Sequence, residues 1–385
     1  MTFNLGRYTE QLAALVAQPS ISSAIPEWDM GNQAVLDLLA QWLTERAFQV
    51  EILPLPGQPG KANLLATRGS GPGGLVLAGH SDTVPYDENR WQSDPFKLSE
   101  RNGKLYGLGA TDMKGFFPAV LAAIDRFAGV GFEQPLIVLA TADEESSMNG
   151  ARALAEMGRP KARYAVIGEP TELVPIYMHK GIMMESVRVR GASGHSSDPS
   201  LGINALEVMH EVVAELLALR HQWQERYRNP GFKVQVPTLN LGCIHGGDSP
   251  NRICAEAELH FDLRPLPGMD NDELRHAINQ RLTPLSQRWG TDIVFSSLFP
   301  GVEPFEQPPE SELIRACEQL TGHRTESVAF ATEAPFLQSL GMETVVLGPG
   351  SIDQAHQPDE FIDTRQLAPA VDTLAGLIER FCLSQ

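Results

Sequence analysis

The first half of the chain alternates between helix-like and strand-like patterns of apolar residues. Apolar side chains recur at helical spacing near the N-terminus and again between Asn32 and Ala47. Short runs that are almost entirely apolar follow, and they have the length of strands. These runs cover residues 62–67, 74–79, 136–142 and 164–168. Buried strands interleaved with helices predict an α/β domain with a mostly parallel sheet covered by helices.

The pattern changes near Gly181 and changes back near Gly290. Between these residues it predicts one strand, a long helix, two consecutive alternating strands and a second helix. This order is typical of a small α+β unit rather than of further strand–helix–strand repeats. After Gly290 an apolar strand and a closing helix resume the first pattern. The sequence therefore predicts a smaller domain over 181–290, inserted into a larger domain formed by 1–180 and 291–385.

The acidic composition narrows the possible partners. The chain has 385 residues, of which 30 are basic and 48 acidic, so its formal net charge is −18. Nucleic acids and anionic membrane surfaces both require a basic face, so we expect neither as a partner. Apolar residues make up 42% of the chain, which is enough for a large core. No apolar run approaches the ~20 residues that a membrane-spanning helix needs.

The N-terminal segment and the cysteines favour a cytoplasmic protein. The segment lacks the basic region and the unbroken apolar run of a signal peptide. The cysteines are Cys243, Cys254, Cys317 and Cys382. Their spacing fits neither a structural zinc site nor a disulfide framework. Reduced thiols of this kind are typical of the cytoplasm.

Polar side chains that can bind metal follow four of the apolar strands, close to the point where each strand ends. A further candidate, Asp112, stands just before a predicted helix. In open α/β sheets, ligands bind beyond the carboxyl ends of the strands. We therefore expect these side chains to converge on one site. In chain order, the candidates are His80, Asp82, Asp112, Glu144, Glu145, Glu169 and His356.

Each candidate alone also has an ordinary structural explanation. Asp112 could be the N-cap of the following helix, and the pair Glu144 and Glu145 could belong to a solvated turn. Together, however, the candidates supply two imidazoles and three or four carboxylates without a thiolate. This donor set suits a pair of zinc-like ions. Neighbours in an extended segment point to opposite faces, so one of the two adjacent glutamates can bind metal while the other stays free as a base.

The spacing of His80 and Asp82 and the balance of charges also favour a dinuclear site. His80 and Asp82 share one face of an extended segment, so the carboxylate can fix which imidazole nitrogen faces the metal. The charges of two divalent ions are balanced by three carboxylates and a hydroxide. Without metal, the carboxylates repel one another, so we expect a looser site.

Three other classes of enzyme lose support because their motifs are absent. A dinucleotide-binding fingerprint that begins at Gly107 and Gly109 needs a third glycine where Asp112 stands. The sequence contains neither a P-loop nor the nucleophile elbow of serine hydrolases.

The candidate segments resemble those of the dinuclear zinc amidohydrolases of the aminoacylase/carboxypeptidase metallopeptidase family, over essentially the whole chain. In the family order, the matching segments are AGHSDTVP, WQSDPF, GLGATDMKG, TADEES, GEPT and AHQPDE. Longer segments resemble the branch of the family that removes acetate from Nα-acetyl-L-ornithine in bacterial arginine synthesis. These segments are TLNLGCIHGGDSPNRICAEAELHFDLRPLPGM, GASGHSSDPSLGINALE, FATEAPF and LGPGSIDQAHQPDE.

The resemblance implies a metal-binding role for five candidates. Asp112 would bridge two Zn²⁺ ions, for which Co²⁺ can substitute. His80 and Glu169 would complete one metal site, and Glu145 and His356 would complete the other. Asp82 would orient His80 from behind the first site, as the sequence spacing also suggests.

The resemblance also implies the groups that act on the substrate. Glu144 would take a proton from water and pass it to the leaving amine. The inserted domain would be a dimerisation or lid domain, from which His195 reaches the partner subunit's active site and donates to the oxyanion. Asn251 and Arg264 would contact the substrate, although Arg264 could instead belong to a surface ion pair.

The sequence is also compatible with two alternatives. The first is another amidohydrolase of the same family, a succinyl-diaminopimelate desuccinylase or a dipeptidase, which would share the ligand spacing. The second is a non-catalytic metal- or ligand-binding protein on the same scaffold. Loss of the free carboxylate would mark the second case, and Glu144 is present.

Overall fold

The computed structural model describes residues 3–383, which form two compact units. The first unit comprises residues 3–177, 307–326 and 332–383, and the second comprises residues 178–306 and 327–331. The second unit therefore runs past the predicted crossing at residue 290. The physical reason is the strand that follows, which pairs along the edge of the second unit's sheet.

Helices occupy much of both units. Within the described residues they are α1 (Leu5–Val16), α2 (Gln33–Thr44), α3 (Phe116–Asp125), α4 (Asn149–Met157), α5 (Ala205–Arg226), α6 (Asn271–Trp289), α7 (Glu312–Thr321), α8 (Ala334–Ser339) and α9 (Leu367–Cys382). No helix in this part of the chain is long and apolar enough to cross a lipid bilayer.

The strands complete the secondary structure. Over residues 3–383 they are β1 (Gln49–Pro54), β2 (Ala62–Arg68), β3 (Leu75–His80), β4 (Ser99–Arg101), β5 (Lys104–Tyr106), β6 (Leu136–Thr141), β7 (Tyr164–Ile167), β8 (Ile176–His179), β9 (Met183–Arg190), β10 (Thr238–Gly246), β11 (Glu256–Arg264), β12 (Asp292–Ser297), β13 (Phe305–Glu306), β14 (Glu326–Val328), β15 (Glu343–Val346) and β16 (Phe361–Asp363).

The first unit is built on a mixed sheet with the strand order β1-β2-β6-β3-β7-β15-β8. The four central strands, β6, β3, β7 and β15, run parallel to one another. The flanking strands β1, β2 and β8 pair antiparallel. β3 and β6 are buried along their whole length, as expected for strands with helices on both faces. The predicted α/β class with a mostly parallel sheet is confirmed, and antiparallel strands extend it at both sides.

The second unit has a separate antiparallel sheet with the order β10-β11-β9-β12. Side chains of β11 alternate between buried and more exposed positions, so one face of the sheet is covered. Helices α5 and α6 pack against this sheet and against each other. The unit is the smaller α+β element that the sequence predicts.

The end of β7 approaches helix α3 so closely that only glycine fits. A Cβ atom on Gly168 would lie 2.2 Å from ring atoms of Phe116. The Phe116 side chain is 1% exposed and belongs to the core between the sheet and its helices, so the ring has little room to move. This close packing fixes the backbone immediately before Glu169, one of the candidate ligands.

We expect Gly168→Ala to lower the free energy of unfolding by roughly 1–3 kcal/mol, because the added methyl overpacks this contact. The matched control is Gly131→Ala, since an added Cβ there meets no atom within 4 Å. Urea denaturation of metal-free protein measures both effects. Equal stability of the two variants would show that α3 moves away from the sheet without cost.

Candidate metal centre

Parallel strands deliver the candidate residues to one edge of the large sheet. His80 is the last residue of β3 and pairs with Thr141, the last residue of β6. Glu144 and Glu145 follow β6, and Glu169 follows β7. Because these strands are parallel, their carboxyl ends meet at the same edge, where ligands of open α/β sheets bind. The structure therefore brings these side chains together, as the sequence predicts.

Asp112 lies at the centre of the cluster. Its Oδ1 is 2.9 Å from His80 Nε2, and its Oδ2 is 3.5 Å from His356 Nε2. The residue is 5% exposed and stands before helix α3, whose N-cap position is Gly115. Asp112 is therefore not the helix cap that its position alone would suggest. Its two oxygens face different histidines, so they can serve two cations.

The other candidate ligands surround Asp112. His356 Nε2 is 3.0 Å from Glu145 Oε2, and His80 Nε2 is 3.9 Å from Glu169 Oε1. Ligand atoms of two groups lie within 4.8 Å of one another: His80 with Glu144 and Glu169, and His80 with Asp112 and Glu145. Glu144, the candidate base, thus lies beside the ligands of one site.

His80 is oriented by the main chain as well as by its neighbours. Its Nδ1 donates to the carbonyl oxygen of Asp82 at 3.0 Å, while the Asp82 carboxylate is 3.7 Å away. The Asp82 carboxylate instead accepts a hydrogen bond from the Glu145 N–H at 3.1 Å. With its proton on Nδ1, His80 turns the lone pair of Nε2 towards Asp112. His80 Nε2 and Asp112 Oδ1 would then both be hydrogen-bond acceptors 2.9 Å apart, and this arrangement requires a cation or a proton between them.

Buried oxygen atoms without hydrogen-bond donors test whether metal ions fit this site. Buried polar atoms are nearly always paired in folded proteins. Within the described residues, four carboxylate oxygens of the cluster are buried and lack a hydrogen-bond donor. They are Oδ1 of Asp82 and the Oε1 atoms of Glu145, Glu169 and Glu333. Unsatisfied carboxylate oxygens beside two imidazoles are what a hard or borderline cation would coordinate. The residues therefore fit a pair of divalent ions.

The electrostatics of the cluster support the same conclusion. Burial, followed by repulsion from Glu169, raises the pKa of Glu144 well above its usual range. Burial, followed by repulsion from Asp112, does the same to the pKa of Glu169. Burial lowers the pKa of His80, but the hydrogen bond to Asp112 and the surrounding carboxylates raise it well above 6.5 overall. The cluster thus needs added positive charge, which protons or metal ions supply.

A buried ion pair, which sequence reasoning missed, supports the turn that carries Glu144 and Glu145. The Asp143 carboxylate accepts hydrogen bonds from Ser22 Oγ, at 2.8 Å, and from Lys61 Nζ. Asp143 has a φ of 62°, which few residues other than glycine adopt. These bonds hold that strained conformation. Asp143 stands in the segment that drew attention to its neighbours, but nothing in the sequence pairs it with Lys61.

Glu333 is a second residue that sequence reasoning missed. It is 2% exposed, and its Oε2 accepts a hydrogen bond from Thr141 Oγ1 at 2.9 Å. Burial raises its pKa to about 7. The segment FATEAPF, which contains Glu333, contributes only to the family resemblance. No apolar strand runs directly into Glu333, so the rule that finds the candidate ligands does not find this residue.

The three remaining candidates lie in the second unit. His195 is exposed, and its Nδ1 is 2.7 Å from Ser197 Oγ. Asn251 is also exposed, and its main-chain oxygen accepts a hydrogen bond from Ser196 N at 3.3 Å, so the two loops are adjacent. Arg264 is half-buried and forms an ion pair with Asp262 at 3.0 Å. The roles of these residues towards a substrate stay predictions.

Solved structures share the fold at low sequence identity. An M20 family metallo-carboxypeptidase from Sulfolobus solfataricus superposes with a TM-score of 0.77 and 17% identity, over 97% of this chain and 98% of that one. Human carnosine dipeptidase 1 gives a TM-score of 0.70 and 18% identity, over 96% of each chain. These similarities establish the architecture alone.

Sequence comparison is more specific. The acetylornithine deacetylase of Pectobacterium carotovorum subsp. carotovorum (strain PC1) is 49% identical over 382 residues, covering 99% of this chain and all of that protein. The acetylornithine deacetylase of Klebsiella pneumoniae (strain 342) is 48% identical with the same coverage. The model of peptidase family M20/M25/M40 matches residues 76–380. Because this model matches most of the chain and the relatives are nearly half identical to it, the chain belongs to peptidase family M20/M25/M40.

Proposed function

We propose that this enzyme is a metal-dependent amide hydrolase that removes acetate from Nα-acetyl-L-ornithine and releases L-ornithine, a step of arginine biosynthesis. The observation that carries the proposal is the cluster of imidazoles and donor-free carboxylates at the sheet edge. It occurs in a chain that is 49% identical over its length to an acetylornithine deacetylase. The net charge of −18 also suits a substrate that carries an ammonium group.

Two metal ions per subunit are part of the proposal. Asp112 would be shared between them, with His80 and Glu169 on one side and Glu145 and His356 on the other. Imidazole and carboxylate donors without thiolate favour Zn²⁺, and Co²⁺ can replace it. When bound, such ions supply Lewis acidity, which polarises a carbonyl and lowers the pKa of water from ~15.7 towards ~7.

The protein's own groups would move the protons. Glu144 is half-buried beside His80 and Glu169, and the proposal assigns it to neither metal ion. It would take the proton of the attacking water and deliver it to the nitrogen of the breaking amide bond. An unprotonated amine is a poor leaving group, so the same carboxylate has to act first as base and then as acid.

A homodimer would complete each site. His195 is exposed and held through Nδ1 by Ser197, so Nε2 is the nitrogen that can donate to an oxyanion. We propose that it does so in the partner subunit, while Asn251 and Arg264 bind the substrate. The edge strand β10 supports such pairing, because its outer side is open and Ile244 on it is 53% exposed.

We also place the enzyme in the cytoplasm. The four cysteines, all within the described residues, are unpaired. Proteins with free thiols and no disulfide are typical of reducing compartments.

The substrate assignment is tested by offering acetylornithine, acetylmethionine and succinyl-diaminopimelate to metal-loaded enzyme and measuring the free amine. We expect the fastest release from acetylornithine. Preference for succinyl-diaminopimelate or a dipeptide would change the substrate assignment.

Metal dependence is tested by chelation. Prolonged chelation should abolish turnover and lower the melting temperature, because the carboxylates then repel one another. Zn²⁺ or Co²⁺ should restore both. Full activity of metal-stripped enzyme would refute the metal centre.

Adjacent variants distinguish the base from the ligand. We expect Glu144→Gln to retain metal but to lose about two to four decades of kcat, the usual contribution of a general base. Glu145→Gln should weaken the binding of one metal ion, because its oxygen lies beside His356 and Asp112. Metal content and kcat are measured on the same preparations. Metal loss in the first variant and full retention in the second would reverse the two roles.

Subunit mixing tests whether His195 acts in the partner's site. His195→Ala and Glu144→Gln should each be inactive alone. After subunit exchange, a mixed dimer has one site with both defects and one intact site. Activity should therefore return to about a quarter of the wild-type value, since random exchange makes half of the dimers mixed. If exchange is demonstrated by mass spectrometry but activity does not return, His195 acts within its own subunit or not at all.

A further inference from the structure

A buried carboxylate outside the proposed ligand set binds the loop that carries Asp112. Glu360 is 2% exposed. Its Oε2 accepts a hydrogen bond from the Gly109 N–H at 2.9 Å. Its Oε1 accepts from the N–H groups of Thr111, at 2.8 Å, and Asp112, at 2.9 Å. A single side chain thus satisfies three backbone donors in the four residues that end at Asp112.

The same residue ties this loop to a second candidate ligand. Glu360 follows His356 by four residues in the chain. Its main-chain oxygen accepts a hydrogen bond from the Gly107 N–H at 3.0 Å. Side chain and main chain of Glu360 therefore join the segment that carries His356 to the loop from Gly107 to Asp112. These two segments carry Asp112 and His356, whose Oδ2 and Nε2 atoms are 3.5 Å apart.

The ordinary explanation, an ion pair, does not account for Glu360. The nearby buried cation is Lys114, which is 1% exposed. Its ammonium donates to the main-chain oxygens of Leu15, at 3.3 Å, and Gln18, at 2.8 Å. The Glu360 carboxylate instead accepts hydrogen bonds from backbone N–H groups of one loop. These hydrogen bonds stabilise the backbone conformation of the loop that ends at Asp112.

We propose that Glu360 is a positioning residue, which sets the backbone of Asp112 so that its two oxygens face two metal sites. The inference rests on the metal centre of the proposed function. It also explains why a carboxylate is needed. Glutamine has the same shape, but whichever way its amide is turned, its NH₂ group meets at least one backbone N–H that requires an acceptor. Glu360→Gln therefore breaks the clamp with little change in volume.

The test compares Glu360→Gln with Asp359→Asn, a change in the adjacent half-buried carboxylate, which accepts a hydrogen bond from Gln92 N. Metal-free protein is titrated with Co²⁺ and followed by optical absorption and calorimetry. We expect Glu360→Gln to bind one or both ions ~10–100-fold more weakly, the usual effect of losing a group behind a ligand. Excess metal should restore its kcat, and Asp359→Asn should bind as the wild type does.

The measured metal affinity separates positioning from a general loss of stability, since a merely destabilised variant would show a lower melting temperature but unchanged affinity of its folded form. Wild-type affinity in a folded Glu360→Gln protein would overturn the proposal. If that variant does not fold, hydrogen exchange on metal-free wild type decides: the amides of Gly109, Thr111 and Asp112 should be protected, and unprotected exchange would refute the clamp. Failure of wild type to bind two ions would instead refute the proposed function.

Discussion

Repulsion among buried carboxylates is the constraint on which the rest of the first unit depends. Two like charges 4 Å apart repel by about 4 kcal/mol at an effective dielectric constant of about 20, so several together oppose folding strongly. The sheet edge nevertheless collects the side chains of Asp82, Asp112, Glu145, Glu169 and Glu333. A rigid parallel core, with buried strands and close glycine contacts, holds them in place. Cations that bind at this site relieve the repulsion between the carboxylates, and this relief makes metal binding more favourable.

The protein holds these groups mainly with its backbone. The Asp82 carboxylate accepts the Glu145 N–H, and the Asp82 carbonyl accepts the imidazole of His80. Glu360 collects three N–H groups of the Asp112 loop. Backbone donors stabilise a negative charge without adding a mobile cation that would compete with the metal. Lys61, a buried cation near the turn, is paired with Asp143, which is not one of the candidate ligands.

Much of the fold and most of the metal cluster could be predicted from sequence, because both depend on local patterns. Continuous apolar runs mark β3, β6 and β7, and polar residues directly after such runs mark the sheet edge. Strand β12 could not be predicted from the sequence, because its side chains alternate weakly and are largely exposed. The roles of Glu333 and Glu360 could not be predicted for another reason. The hydrogen-bond partner of Glu333 lies 192 positions away in the chain, and the partners of Glu360 lie 248 to 251 positions away. Such contacts follow from tertiary structure and leave no periodic signal.

The first unit is assembled from segments on both sides of the second unit in the chain. During synthesis, the ribosome therefore completes the whole second unit before it makes β15 and His356. The second unit can fold as it emerges, because its main sheet comes from one continuous segment. The nascent first unit meanwhile has an open edge at β7 and only part of its ligand set. A chain that stalls at this stage would present an unpaired strand to its neighbours, whereas elongation past β15 covers that strand and then adds His356.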